Sequence, residues 1–265
     1  MQGTLPGGST MDFFSSGLNT TNLTVTVVIL IFLILMSTRA KMLDKQGVVA
    51  ASVLGFIVGG LGHWTWLIIL LGFLLSSHKA TKWRFEEKKA LGLCESEDGH
   101  RGWKNVVANG FFPGLMCLIA FYFEDYEAGI WIFGASVAVA ASDTFASEIG
   151  CLDPRVRMIT TMKPCEQGEN GGFSPNGQLA AFLGSLIVSL CTFVSAYLTG
   201  VVNLDDGMMI TIVLVATGWL GCQIDSVLGA TLENRGLLTK GTVNAFSILG
   251  GILIMWAYLD MPLFP

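Results

Sequence analysis

The chain has 265 residues, 52% of them hydrophobic and 13% charged, with 32 glycines and a formal net charge of -5; its mean hydropathy is +0.62. That composition excludes an ordinary soluble domain and indicates an all-α, polytopic membrane helix bundle. The acidic balance, without any basic stripe, also excludes a nucleic-acid groove.

Residues 1–21 carry no Lys or Arg and are rich in Gly, Ser, Thr and Asn. They lack the positive n-region of a signal peptide and are expected to form a flexible extracytosolic lead into the first helix. Two glycosylation sequons occur near this end, at Asn19 and Asn22, usable only on the extracytosolic side; Asn22 is expected to lie too close to the membrane. Residues 22–265 are expected to form a single transmembrane domain. A helix needs about 20 apolar residues to cross the hydrocarbon, and runs of that order fall at 22–38, 47–62, 64–78, 106–123, 128–149, 177–199, 208–230 and 242–259. Only Gly62-His63-Trp64 separates the short second and third spans, and Trp64 and Trp66 suit an interfacial belt. His63 and His100 have no evident partners. The six cysteines show no CxxC or Cys/His spacing for zinc and read as free thiols.

Basic residues set the orientation. Arg39, Lys41 and Lys45 lie between spans one and two, and Lys79, Lys82, Arg84, Lys88, Lys89, Arg101 and Lys104 between three and four. Arg155, Arg157 and Lys163 lie between five and six, and Arg235 and Lys240 between seven and eight. These are all 15 basic residues of the chain, every one in an odd-to-even connection. The positive-inside rule makes those four connections cytosolic and both termini extracytosolic.

Spans five and seven then run in parallel toward the cytosol, and each ends in acid. Asp143 and Glu148 close span five and Asp225 closes span seven. A carboxylate costs roughly 2.5–3.5 kcal/mol at the centre of a spanning helix, so these residues ask for a cation, a proton path or a partner. Ser136, Ala140, Asp143 and Ser147, and likewise Gly218, Cys222, Asp225 and Gly229, are spaced 4, 3, 4. Small residues at that spacing let two helices approach, which is expected to bring both carboxylates into one site. Asp143-Thr followed by Asn170 to Ser174, and Asp225-Ser followed by Asn244 to Ser247, suggest a repeated helix pair over 128–199 and 208–259.

Between spans five and six, Lys163 to Gly177 holds glycines at 168, 171 and 172 and leads into a helix N-terminus, a place suited to anions. Asn170, Gly171, Gly172 and Ser174 are therefore phosphate candidates, with Lys163 adding charge. Lys79 and Lys82 leave span three as a basic cluster, which serves either topology or phosphate binding. Asn105 and Asn109 open span four as either caps or ligands. Carboxylates, a glycine-rich backbone and lysine are the components of Mg²⁺-assisted phosphoryl transfer, with Asp143 and Asp225 on the metal. A site at the membrane boundary implies one lipid reactant and one nucleotide. The same residues leave open a cation-coupled transporter, or a CTP-dependent cytidylyltransferase acting on a lipid phosphate.

The segments His78 to Lys82, Ser142 to Gly150, Glu169 to Phe173 and Asp225 to Thr231 resemble the integral-membrane family that contains transmembrane protein 19 and plant phytyl-phosphate kinase. The resemblance runs from about residue 40 onward. It implies a kinase that converts an isoprenoid monophosphate to its diphosphate with a nucleoside triphosphate, CTP favoured, and Mg²⁺. Asp143, Glu148, Asn170, Gly171, Gly172, Asp225 and Asn244 would form the site. The chain departs from the pattern at Pro164 to Glu169 and at Leu232 to Gly241. The implied partners are the isoprenoid lipid phosphate, the nucleotide and membrane lipid, and a homo-oligomer is compatible with them.

Overall fold

The computed structural model describes residues 14–94, 96 and 98–260. Its helices are α1 (Thr20–Ala40), α2 (Lys45–Ile57), α3 (Trp66–Lys82), α4 (Phe85–Ala90), α5 (Trp103–Phe123), α6 (Tyr126–Gly150), α7 (Pro175–Leu198), α8 (Leu204–Leu228) and α9 (Lys240–Tyr258). Single π turns, Val58–Gly62 and Gly229–Glu233, continue α2 and α8. Between α6 and α7, β1 (Arg157–Met158) pairs antiparallel with β2 (Gly172–Phe173). Among the described residues, seven helices are long and apolar enough to cross a membrane. The 17-residue α3 sits at the lower limit for a span. The protein is a polytopic helical membrane protein.

α6 is the axis of the bundle. In its most apolar stretch 89% of residues are buried, against 17% in α1 at the periphery. Glycine lets α6 take neighbours this close. A Cβ on Gly184 of α7 would lie 2.6 Å from Ala141 O, and one on Gly218 of α8 would lie 2.9 Å from Ala138 Cβ. The α6–α8 approach expected from small residues is real, but its register differs. Ala138 and Val139 face Gly218 and Gly221, while Ala140 packs with Met116 and Ile248 on the side of α5 and α9.

The end of the bundle away from Asp143 is closed by polar contacts. Asn22 is fully buried, donating to Gly59 O at 2.8 Å and accepting from Trp64 N at 2.8 Å, so its amide is inaccessible to glycosylation. Residues 1–13 of the N-terminal lead lie outside the described residues; Gly17 N donates to Gly62 O at 2.7 Å. His63 has a partner after all, with Nδ1 2.8 Å from Thr65 Oγ1, which in turn accepts from Ser195 Oγ at 2.6 Å. Trp66 is not an interfacial residue. It is 1% exposed and stacks on Phe133 with ring centroids 5.0 Å apart, because the connection at 63–65 turns the start of α3 inward. All six cysteines are free.

Candidate active site

The opposite end gathers the chain's unusual polar groups. Asp143, in the penultimate turns of α6, and Asp225, in the last turn of α8, have carboxyl groups within hydrogen-bonding reach of each other. Ser247 of α9 places its hydroxyl 3.2 Å from Asp225 Oδ1. A Thr239 capping box starts α9 one residue before Lys240, which fixes Lys240 close enough to act electrostatically on Asp225. Two adjacent carboxylates repel unless a proton or cation lies between them.

Two cavities meet at Asp143. One, of about 300 Å³, lies under the 168–172 loop and reaches Asp225, Gln178 and Glu233. The other, of about 600 Å³, opens toward Thr81, Arg101, Asn105, Asn109 and Asn244. Asp143, Ser147, Glu148 and Lys240 line both and form the shared wall.

The donor set fits a hard cation. Among the described residues no group of three or more His, Cys, Asp or Glu is assembled for a metal, but Mg²⁺ is commonly held by one or two carboxylates with waters and substrate phosphates. Among the described residues, Asn109 Oδ1 and Asn244 Oδ1 are buried oxygen acceptors without hydrogen-bond partners, and both residues line the same cavity as Asp143. Pro113 lies four residues after Asn109 inside α5 and has no N–H to give the Asn109 carbonyl, leaving that acceptor out of the helical ladder as well. Such oxygen donors would suit Mg²⁺-like ions better than softer ones.

Glu148 has a different role from Asp143. Its Oε1 accepts from Thr81 Oγ1 at 2.6 Å and its Oε2 from Lys88 Nζ at 2.6 Å. Lys88 is 1% exposed and also donates to Thr81 O at 2.8 Å. Glu148 is thus a brace joining α3, α4 and α6, with both oxygens committed to protein partners.

The glycine-rich loop behaves as a packed strap. Gly171 has φ +84, and a Cβ there would lie 2.5 Å from Ala230 Cβ and 2.8 Å from Ser226 O. Only glycine permits both that backbone conformation and that approach to the end of α8. Asn170 lines the cavity, with its carbonyl accepting from Asn234 Nδ2 at 3.0 Å, and Gly172 N donates to Glu169 O at 2.9 Å. The N-terminus of α7 is already occupied. Ser174 caps it by accepting from Gly177 N at 3.2 Å, and Asp153 accepts from Asn176 N at 3.0 Å. Arg155 grips Asp153 through Nε and Nη2 at 2.9 and 3.0 Å. Those hydrogen bonds, against the opposing effect of burial, hold the Asp153 carboxyl down at about 2. The expectation of an open anion site at that helix start is corrected by this prior occupancy.

Three expected phosphate ligands are not brought to the cavities. Lys79 is exposed, and Lys82 turns to Asp98 O at 2.9 Å and the Phe85 ring. Lys163 lines a separate shallow depression with Glu166 and Glu169, because the β1–β2 pairing carries it away from α6. Arg101 and Lys240 stand in their place. In the sequence both count only as topology charges; their positions at the starts of α5 and α9, beside Asn105 and Asn244, are the signal that could have singled them out.

A family model described as integral membrane protein DUF92 matches residues 28–255. The chain is 33% identical over 239 residues to Uncharacterized membrane protein MJ0933 of Methanocaldococcus jannaschii, covering 89% of this chain and 94% of that protein. It is 30% identical to Protein PGR of Arabidopsis thaliana over 76% of this chain and 75% of that one. It is 24% identical to Protein VTE6, chloroplastic, of the same plant over 80% of this chain and 64% of that protein. No solved structure matches the chain significantly.

Proposed function

Since the chain belongs to the integral membrane protein DUF92 family, the family its motifs resemble, we propose that it is a lipid-phosphate kinase. It would transfer a phosphoryl group from a nucleoside triphosphate, CTP favoured, to an isoprenoid monophosphate. The observation that carries this reading is Asp143 on the wall common to two polar cavities, with Asp225 beside it on the loop side: two reactants could approach one cation-holding centre from opposite sides.

Asp143 and Asp225, with the Asn244 and Asn109 oxygens, would hold Mg²⁺, which when bound neutralises phosphate charge. The loop cavity takes the nucleotide phosphates, and Lys240 offsets charge that develops on the transferred group. The second cavity takes the acceptor monophosphate beside Arg101, whose guanidinium suits phosphate oxygens. The acceptor is ionised at neutral pH, so its own oxygen attacks the γ-phosphorus and the nucleoside diphosphate leaves with the bridging oxygen. No protein base has to remove a proton. Thr81, Lys88 and Glu148 orient the wall. The basic connections support a cytosolic orientation of this end, where nucleotide would be available.

The test uses purified protein in detergent with labelled CTP or ATP, Mg²⁺ and a panel of isoprenyl monophosphates. Isoprenyl diphosphate formation supports the kinase. Pyrophosphate release would replace it with a cytidylyltransferase, and no turnover with any donor would refute both.

A further inference from the structure

A third cavity, of about 110 Å³, runs between α1, α2, α3 and α5, walled by Leu30, Leu33, Ile34, Leu70, Leu74 and Val106. At its end nearest Asp143 it is bounded by Arg101, Asn105 and Asn109, and these three also line the 600 Å³ cavity. A hydrocarbon-lined cleft and a polar chamber therefore meet at one neck, and the neck carries a cation.

We propose that this cleft is a tail-binding subsite for the proximal part of a single-chain lipid phosphomonoester whose head lies past Arg101. This deepens the kinase reading and rests on it for the identity of the acceptor. Four features select that occupant. The lining is apolar along the helices and polar at the neck, the polarity of an amphiphile. A cavity of about 150 Å³ takes a guest the size of benzene, so a cleft of about 110 Å³ has no room for the two chains of a diacyl lipid. Arg101 is anchored at the neck: its N–H donates to Met42 O at 3.1 Å, its carbonyl accepts from Asp44 N at 3.2 Å, and its Nη2 donates to Thr81 Oγ1 at 3.3 Å. The charge is thus held where a phosphate would sit. Asn109, 8% exposed with its amide N–H donating to Asn105 Oδ1 at 2.8 Å, keeps the neck polar.

The geometry also limits what is read. The lining runs from Ser37 to Leu30 on α1 and from Leu74 to Leu67 on α3. At 1.5 Å per residue each track is about 10 Å long, roughly a third of the hydrocarbon thickness. Leu30, Leu67 and Val137 at its floor belong to the main core, so a longer chain must leave sideways into lipid past α1. Affinity therefore rises with chain length only until the cleft is filled.

Two experiments test this. Photolabelling of the unaltered protein in detergent uses a diazirine-bearing C16 alkyl monophosphate, with the matching alkanol as control. Adducts on α1, α3 or α5 cleft residues that exceed the alkanol's at least fivefold are expected; equal labelling by the alkanol, or adducts elsewhere, overturns the subsite. In the turnover assay, Leu33→Trp and Leu70→Trp should each lower kcat/KM for a long-chain relative to a short-chain monophosphate at least tenfold, through KM. An unchanged ratio in both variants also overturns it. Phosphate-dependent labelling without turnover by any donor would sink the kinase reading while leaving the subsite standing.

Discussion

Lys88 Nζ lies 2.6 Å from Glu148 Oε2, with the two side chains 1% and 8% exposed, so a six-residue helix is fastened to the end of the most buried helix in the bundle. Removing one member of a buried ion pair strands the other, at about 3–5 kcal/mol. Lys88→Met should lower the thermal midpoint in detergent by several degrees. Lys88→Met combined with Glu148→Gln should recover part of that loss, as read by scanning fluorimetry. Losses that simply add would mean the pair is not coupled.

Asp143→Asn and Asp225→Asn keep side-chain size and remove the charge that would hold the cation. Turnover should fall at least about 10³-fold in each, equivalent to about 4 kcal/mol of transition-state stabilisation. Expression and thermal midpoint should stay at wild-type level or rise, since mutual repulsion between neighbouring carboxyls is relieved. Near-normal turnover in either variant would remove that residue from the centre.

Gly171 and Gly236 separate strain from crowding. Both have positive φ, +84 and +71, but a Cβ on Gly236 meets nothing within 4 Å. Gly236→Ala should cost about 1 kcal/mol from backbone conformation alone. Gly171→Ala should cost more and cut turnover as well, because its methyl would force the strap off the end of α8. Equal effects on midpoint and activity would show that the strap is not docked there.

Asp153 carries a pH signature. Its carboxyl is held at about 2, below the ordinary 3.8, so the folded state binds its proton less readily than the unfolded chain. The stabilisation is complete above about pH 4 and is lost as pH falls from there through about 2. The midpoint difference between wild type and Asp153→Asn should therefore shrink across that window. A difference that persists unchanged to pH 2 would mean Arg155 and Asn176 do not hold the charge.

The membrane-spanning architecture was legible because apolar length is a strong signal and all the basic residues fell in alternate connections. Asp143 and Asp225 were legible for a related reason: a carboxylate at the end of an apolar helix is expensive enough to stand out. Lys88 was not. In Phe85–Ala90 it is one lysine beside another, and nothing in so short a segment says which turns inward. Arg101 and Lys240 were hidden because a lysine or arginine at a helix end serves topology and chemistry alike, and only the packing of α5 and α9 against α6 tells them apart. Lys163 misled because sequence proximity to Asp143 is undone by the pairing of two short strands that swings the loop between them aside. The 4, 3, 4 stripes pointed to a close helix pair but missed its register, since on the nearly all-round buried α6 small residues face every neighbour.

The partition formed by Asp143, Ser147, Glu148 and Lys240 has a kinetic consequence. If each cavity takes one reactant, as the kinase reading has it, donor and acceptor would be aboard together, and neither would have to depart before the other arrives. Under the kinase reading, initial velocities measured against both concentrations should give intersecting double-reciprocal lines, the mark of a ternary complex, with no phosphorylated protein accumulating between half-reactions.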